Sequence, residues 1–117
     1  MNNNDISMTL DDYQELAART IVPNLNGEEM EAHALHGMTG EIGEIHSIYQ
    51  KVYQGHDCDD QHLMKELGDL LWFIAEYCTA KDWSLSNICE LNINKLRQRY
   101  PEGFETEKSL HRKEGDI

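Results

Sequence analysis

Apolar residues recur along this chain at the three- and four-residue spacing of an α-helix, and nowhere is the alternation of a strand sustained. The pattern predicts four helices, over residues 9–20, 28–53, 60–81 and 85–99. Thr9 and Ser84 are suitable N-caps for the first and the fourth. The expected fold class is therefore all-α, a bundle of four to five helices in which the polar segment after residue 105 is ordered only if it finds a surface.

The second and third helices each carry one apolar stripe, at about 100° per residue. The stripe residues are Ala34, Met38, Ile42, Ile45, Tyr49 and Val52 in the second helix, and Leu63, Leu67, Leu70, Ile74 and Tyr77 in the third. The loop between these helices is short, which favours antiparallel packing of the two stripes.

Two acidic pairs lie just to one side of these stripes, Glu41 with Glu44 and Glu66 with Asp69. Both pairs have i, i+3 spacing and equivalent angular positions, so antiparallel packing would make them flank one groove. Clustered carboxylates repel each other unless one is protonated or a cation neutralises them. Oxygen ligands with high charge suit Mg²⁺, for which Mn²⁺ can substitute. The alternative is an ordinary solvated helix face.

Other metal centres fit the spacing less well. A di-iron bundle needs Glu-x-x-His on two helices, which this chain lacks. Zinc is also disfavoured, because no His or Cys lies at motif spacing beside the acids. Gly40, Gly43 and Gly68 fall inside the same helices, where each glycine costs about 1 kcal/mol relative to alanine. Close approach of another backbone or room for a ligand would explain them.

The fourth helix offers groups that could bind phosphate. Lys95 and Arg99 are one turn apart, and Asn92 precedes Lys95 on the same face. A solvated basic face at a helix C-terminus is the simpler alternative. His36, three residues after His33 on the second helix, is another possible substrate contact, although a solvated or core position is the simpler interpretation.

The net charge of −12 makes duplex nucleic acid and anionic membranes poor partners. No apolar run is long enough for a membrane helix, and the first ten residues lack the pattern of a secretion signal. Cys58, Cys78 and Cys89 form no CxxC pair, which predicts buried free thiols and a cytoplasmic protein.

Three segments, "HGMTGEIGEI", "KELGDLLWFI" and "NINKLRQRYPEGF", together resemble the MazG-like all-α nucleoside triphosphate pyrophosphohydrolases, whose relatives include dCTPase-like enzymes and dimeric dUTPases. The resemblance covers residues 32–104. It implies cleavage of a nucleoside triphosphate between the α and β phosphates, with Mg²⁺ held by the four acids, one of Glu41 and Glu44 activating water, and Lys95 and Arg99 on the phosphates. It also implies a homo-dimer or homo-tetramer of single-domain protomers spanning residues 1–117.

The chain departs from the family pattern where Gly40 and Gly43 interrupt the first motif, which often carries extra acids. The resemblance also implies a basic residue near the second motif, and the candidates for this substrate contact are Lys65, which adjoins Glu66, and His62, which lies nearer the acid side.

Two other hypotheses stay open. One is a non-enzymatic helical interaction module, and the other is a hydrolase of the same fold acting on a nucleoside diphosphate or a phosphoribosyl-ATP. Trp72 lies nearly opposite the apolar stripe of its helix, which predicts an exposed side chain at a subunit interface.

Overall fold

A computed structural model describes residues 7–117. The five helices are α1 (Leu10–Ala18), α2 (Gly27–Val52), α3 (Asp60–Ala80), α4 (Leu85–Arg99) and α5 (Thr106–Leu110). Apart from one isolated bridge, the described part of the chain contains no β-structure, so the all-α prediction is confirmed. Residues 1–6, which include most of the segment searched for a secretion signal, lie outside the described part.

Local capping explains why the helices begin where they do. Thr9 and Asp12 form a reciprocal capping box at the start of α1, and Ser84 accepts a hydrogen bond from the backbone N–H of Asn87 at the start of α4. Both predicted N-caps are therefore confirmed. Asp59, in the loop before α3, caps that helix through the backbone N–H of His62.

Helices α2 and α3 form an antiparallel pair, and their contact face differs from the predicted stripe. In α2 the face passes through Ala34, Glu41 and Ile48, which are seven residues apart. Ile42 and Tyr49 of the predicted stripe are instead 46% and 54% exposed. The contact face is shifted around α2 because Gly37 has no side chain. The Phe73 ring of α3 therefore fits against it, and the helices approach each other on that side.

Helix α1 packs across the C-terminal half of α3 and the beginning of α4. Gln14 joins the three helices, since its amide donates to the Thr79 hydroxyl of α3 (3.3 Å) and accepts from the backbone N–H of Leu85 in α4 (2.7 Å). It also donates to the carbonyl of Trp83 in the loop between them (2.8 Å). Trp72 lies in this contact, partly buried, and its indole donates to the Thr20 hydroxyl at 2.8 Å. The prediction of an exposed Trp72 is therefore wrong, because α1 covers that face of α3.

The three cysteines are free, but they differ in burial. Cys78 is buried in the core under α1, and Cys89 is half-buried beside it. Cys58 lies in the loop between α2 and α3 and is exposed, so the prediction of three buried thiols is wrong there. A loop this short offers no apolar surface to cover its side chain.

The chain is less compact than is usual for its length. Its radius of gyration is 17.9 Å, where a compact domain of this size has about 13 Å. Helix α4 contributes to this, because it packs on α1 near its first turn while its last turns contact the segment that follows it. From residue 7 onward, every helix is too short or too polar to cross a membrane.

Candidate metal and catalytic site

Three of the four predicted acids converge between α2 and α3. Glu41 of α2 and the pair Glu66 and Asp69 of α3 each present one carboxylate oxygen, and these oxygens lie within 4.8 Å of one another. Glu44, one turn beyond Glu41, is exposed and outside this group, although its charge still acts on Glu41. The structure thus assembles a cluster of three acids, with the fourth at its edge.

Glu41 and Glu66 are half-buried in the cluster, whereas Asp69 is exposed. The Oε2 atom of Glu41 is buried and has no hydrogen-bond partner among the described residues. The pKa of Glu41 rises from 4.5 to about 7, first because a proton can be shared with the Glu66 carboxyl group, then through burial and the charges of Glu66, Asp69 and Glu44. At neutral pH the site without a cation therefore holds a proton in part of the molecules.

This arrangement fits a hard divalent cation. A buried oxygen without a donor is unfavourable unless something positive satisfies it, and three convergent carboxylates provide only oxygen ligands. Such a donor set suits Mg²⁺ or Mn²⁺ better than zinc, which prefers nitrogen and sulfur.

Two further side chains border the acids. The Nε2 atom of His62 lies 3.2 Å from Oε1 of Glu66, so this histidine adjoins the acids. Tyr13 of α1 is close enough to Asp69 that the carboxylate charge, after burial, raises the pKa of its phenol. Sequence reasoning missed Tyr13, because only the packing of α1 brings it there. His36 and Lys65 are exposed on α2 and α3.

The three glycines singled out from the sequence have open surroundings, whereas Gly37 is in close contact with α3. A Cβ at Gly40, Gly43 or Gly68 would meet no atom of the described residues within 4 Å. A Cβ at Gly37 would overlap the ring of Phe73. The close approach of α2 and α3 therefore explains Gly37. It does not explain Gly40, Gly43 and Gly68, for which space for a ligand or contact with a second copy are the remaining reasons.

A second carboxylate in the α2–α3 contact also escaped the sequence reasoning. Glu76 is 1% exposed, and both of its carboxylate oxygens lie 2.9 Å from Nδ1 of His33. Glu76 follows Asp69 by seven residues, so its position on the contact face of α3 was the available signal.

Within one chain, none of the four acids lines the cavity that contains the predicted phosphate ligands Lys95 and Arg99. Lys95 and Arg99 line a cavity of about 590 Å³ between the end of α4 and the segment from α5 onward. Arg99 is paired there with Asp116. Asn92 is exposed on α4.

Comparison with known proteins identifies the family. Residues 28–104 match the family model of the MazG nucleotide pyrophosphohydrolase domain. The chain is also similar to "Gene 37 protein" of Mycobacterium phage L5, with 30% identity over 105 residues that cover 82% of this chain and 92% of the phage protein. No solved structure matches the chain. The chain belongs to the MazG nucleotide pyrophosphohydrolase family, as its motifs predicted, and this membership implies a nucleotide pyrophosphohydrolase.

Proposed function

We propose that the protein is a Mg²⁺-dependent nucleoside triphosphate pyrophosphohydrolase that converts a (d)NTP to the (d)NMP and pyrophosphate. The observation that carries the proposal is the convergence of Glu41, Glu66 and Asp69 around a buried carboxylate oxygen, in a chain of this family. Mg²⁺ bound by these three acids would neutralise charge on the phosphate oxygens and lower the pKa of a water molecule.

Glu41 and Glu44, the acidic pair of α2, have different roles in this proposal. Glu41 is held in the helix contact and is suited to hold the cation. Glu44 is exposed one turn away, so it can accept the proton of the attacking water while remaining in contact with solvent. The water oxygen bonds to the α-phosphorus, the bond from this phosphorus to the bridging oxygen breaks, and pyrophosphate leaves with that oxygen.

We assign the phosphate contacts to Lys95 and Arg99, with Asn92 as a neutral hydrogen-bonding group on the same helix. Since none of the four acids lines the cavity that contains Lys95 and Arg99 within one chain, a homo-dimer or homo-tetramer in which one copy completes the site of another fits the proposal. Three large apolar side chains of α2 remain about half exposed at intervals of seven residues, Leu35, Ile42 and Tyr49, as a face for such a contact. The radius of gyration agrees with a protomer that packs against a second copy.

The same proposal includes a small-molecule nucleotide as the substrate and a cytoplasmic location. A chain of net charge −12 repels nucleic acid, whereas a nucleotide can be bridged by a cation. The thiol of Cys58 is free and exposed, and a reducing compartment such as the cytoplasm would keep it reduced.

The direct test is a panel of common NTPs and dNTPs, with Mg²⁺ and then with chelator, in which monophosphate and pyrophosphate are both measured. We expect equal amounts of the two products from at least one nucleotide and none in chelator. Glu66→Gln should lower kcat/KM at least 100-fold. Glu90→Gln, an equal charge change on an exposed face of α4, is the matched control and should have little effect.

Release of orthophosphate with a diphosphate product would contradict the bond assigned to cleavage. A chain that turns over no nucleotide, and whose melting temperature does not respond to Mg²⁺, would favour the non-enzymatic helical module instead.

A further inference from the structure

The cavity at the end of α4 has a charge opposite to that of the rest of the molecule. Five of the ten Lys and Arg residues in this acidic chain line it, namely Lys95, Arg99, Lys108, Arg112 and Lys113. Two acids, Glu114 and Asp116, also line it. Cations repel one another at such density, so their concentration in one cavity favours an anion between them.

The chain supplies one such anion itself. Nε of Arg99 donates to one carboxylate oxygen of Asp116 at 2.8 Å, and an Nη atom of Arg99 donates to the other at 2.7 Å. The ion pair is largely buried, since the side chain of Arg99 is 8% exposed and that of Asp116 is 16% exposed. This two-bond geometry is the one that a guanidinium group forms with carboxylate and phosphate alike.

Two more cations act on the same carboxylate. Its pKa lies below the usual range, first because Arg99 donates to it and then because the charges of Arg99, Arg112 and Lys95 are near. Lys95 and Arg99 come from α4, whereas Arg112 comes from the segment after α5, beyond the residues that match the family model. Cations from two separate parts of the chain thus surround one anionic group.

We propose that this cavity is an anion site for the diphosphate portion of a nucleotide, which Asp116 occupies until a phosphate group displaces it. Arg112 then joins Lys95 and Arg99 as a ligand of the phosphates. The inference rests on the proposed function, in which those two α4 residues bind phosphate. The cavity volume of about 590 Å³ is within the range of about 300–1,000 Å³ that is usual for small-molecule sites.

The test measures the binding of inorganic pyrophosphate by calorimetry, with the full chain in excess EDTA. Without a divalent cation the acidic cluster repels pyrophosphate, so the heat reports the basic cavity. Asp116→Asn should lower the Kd about 10-fold, because it removes the internal competitor. Glu114→Gln is the matched control, since it removes the same charge from the same cavity without freeing Arg99. It should change the Kd less than about 3-fold.

A second pair of variants tests the added ligand. In the Asp116→Asn background, Arg112→Gln should raise the Kd at least 5-fold, whereas Arg97→Gln, on the exposed side of the last turn of α4, should leave it within about 2-fold. Equal effects of Asp116→Asn and Glu114→Gln would overturn the displacement, and equal effects of Arg112→Gln and Arg97→Gln would overturn the ligand assignment. An absence of binding in every variant would overturn the site.

These outcomes are separable from the proposed function, because the measurement involves no turnover. A chain that hydrolyses a (d)NTP, but in which Asp116→Asn does not tighten pyrophosphate binding, keeps the proposed function and loses the anion site. A chain in which the variants behave as expected, but which hydrolyses no nucleotide, keeps the site and loses the activity.

Discussion

Gly37 of α2 faces Phe73 of α3 so closely that a methyl group on Gly37 would overlap the ring. The contact lies one helical turn from Glu41 along α2 and one turn from Asp69 along α3. It therefore sets how near the two helices approach beside the acids, and so how near the carboxylates are to one another.

Gly37→Ala should lower the free energy of unfolding by about 1–3 kcal/mol, because a methyl group would push the Phe73 ring or the helices apart. Gly40→Ala is the control in the same helix, where an added Cβ meets no described atom within 4 Å. It should raise stability by about 0.5–1 kcal/mol through helix propensity. Urea denaturation in chelator measures both, and a Gly37 variant as stable as the Gly40 variant would contradict the contact.

The stability of the metal-free protein should depend on pH through Glu41. Its pKa is raised in the folded chain from 4.5 to about 7, so folding favours the protonated form. The stabilising contribution is fully present below about pH 4.5 and is lost as the pH rises through 7. Glu41→Gln, which stays neutral, should therefore gain melting temperature over the wild type in EDTA as the pH increases from 5 to 8. A difference that stays constant across this range would refute the assignment.

Removing one of the four acids should separate activity from stability. Asp69→Asn and Glu44→Gln should each abolish activity, yet raise the melting temperature in chelator, because fewer like charges then repel each other. With Mg²⁺ the wild type should gain more stability than either variant. Lower melting temperatures for both variants in chelator would indicate that these acids serve the fold instead.

The buried pair of His33 and Glu76 should be coupled in stability. His33→Ala leaves the carboxylate of Glu76 buried without its donor, at a cost of about 1–3 kcal/mol. In a Glu76→Leu background the same change should cost at least about 1 kcal/mol less, since no buried acceptor remains. His36→Ala, at an exposed position of the same helix, should stay within about 0.5 kcal/mol. Additive effects in the cycle would rule the pair out as a stabilising contact.

An oligomer should depend on the exposed face of α2 and not on Trp72. Leu35→Glu places a charge on a half-exposed leucine of that face and should dissociate the assembly, as measured by light scattering at micromolar concentration. Leu110→Glu, on the more exposed α5, should leave the mass unchanged. A wild-type monomer would refute the oligomer, and an unchanged mass for Leu35→Glu would exclude this face.

The sequence by itself determined helices α1 to α4 and the identity of the acids, but it did not predict α5. Local rules place the ends of α4, since Ser84 caps it and the chain reaches Pro101 soon after it ends. The matched spacing of two acidic pairs was enough to predict that α2 and α3 share a carboxylate cluster, because angular position along a helix is fixed by residue number. That residues 1–117 form one domain stays a prediction.

Only the tertiary structure decided which side of each helix is covered. Periodicity marks a stripe wider than the contact itself, so it could not show that Gly37 and Glu41 lie in the seam while Ile42 lies outside it. The burial of Trp72 depends on α1, and the engagement of Arg99 depends on Asp116, 17 residues further along the chain. Such contacts join segments whose relative placement no local pattern encodes, because it follows from how whole helices pack.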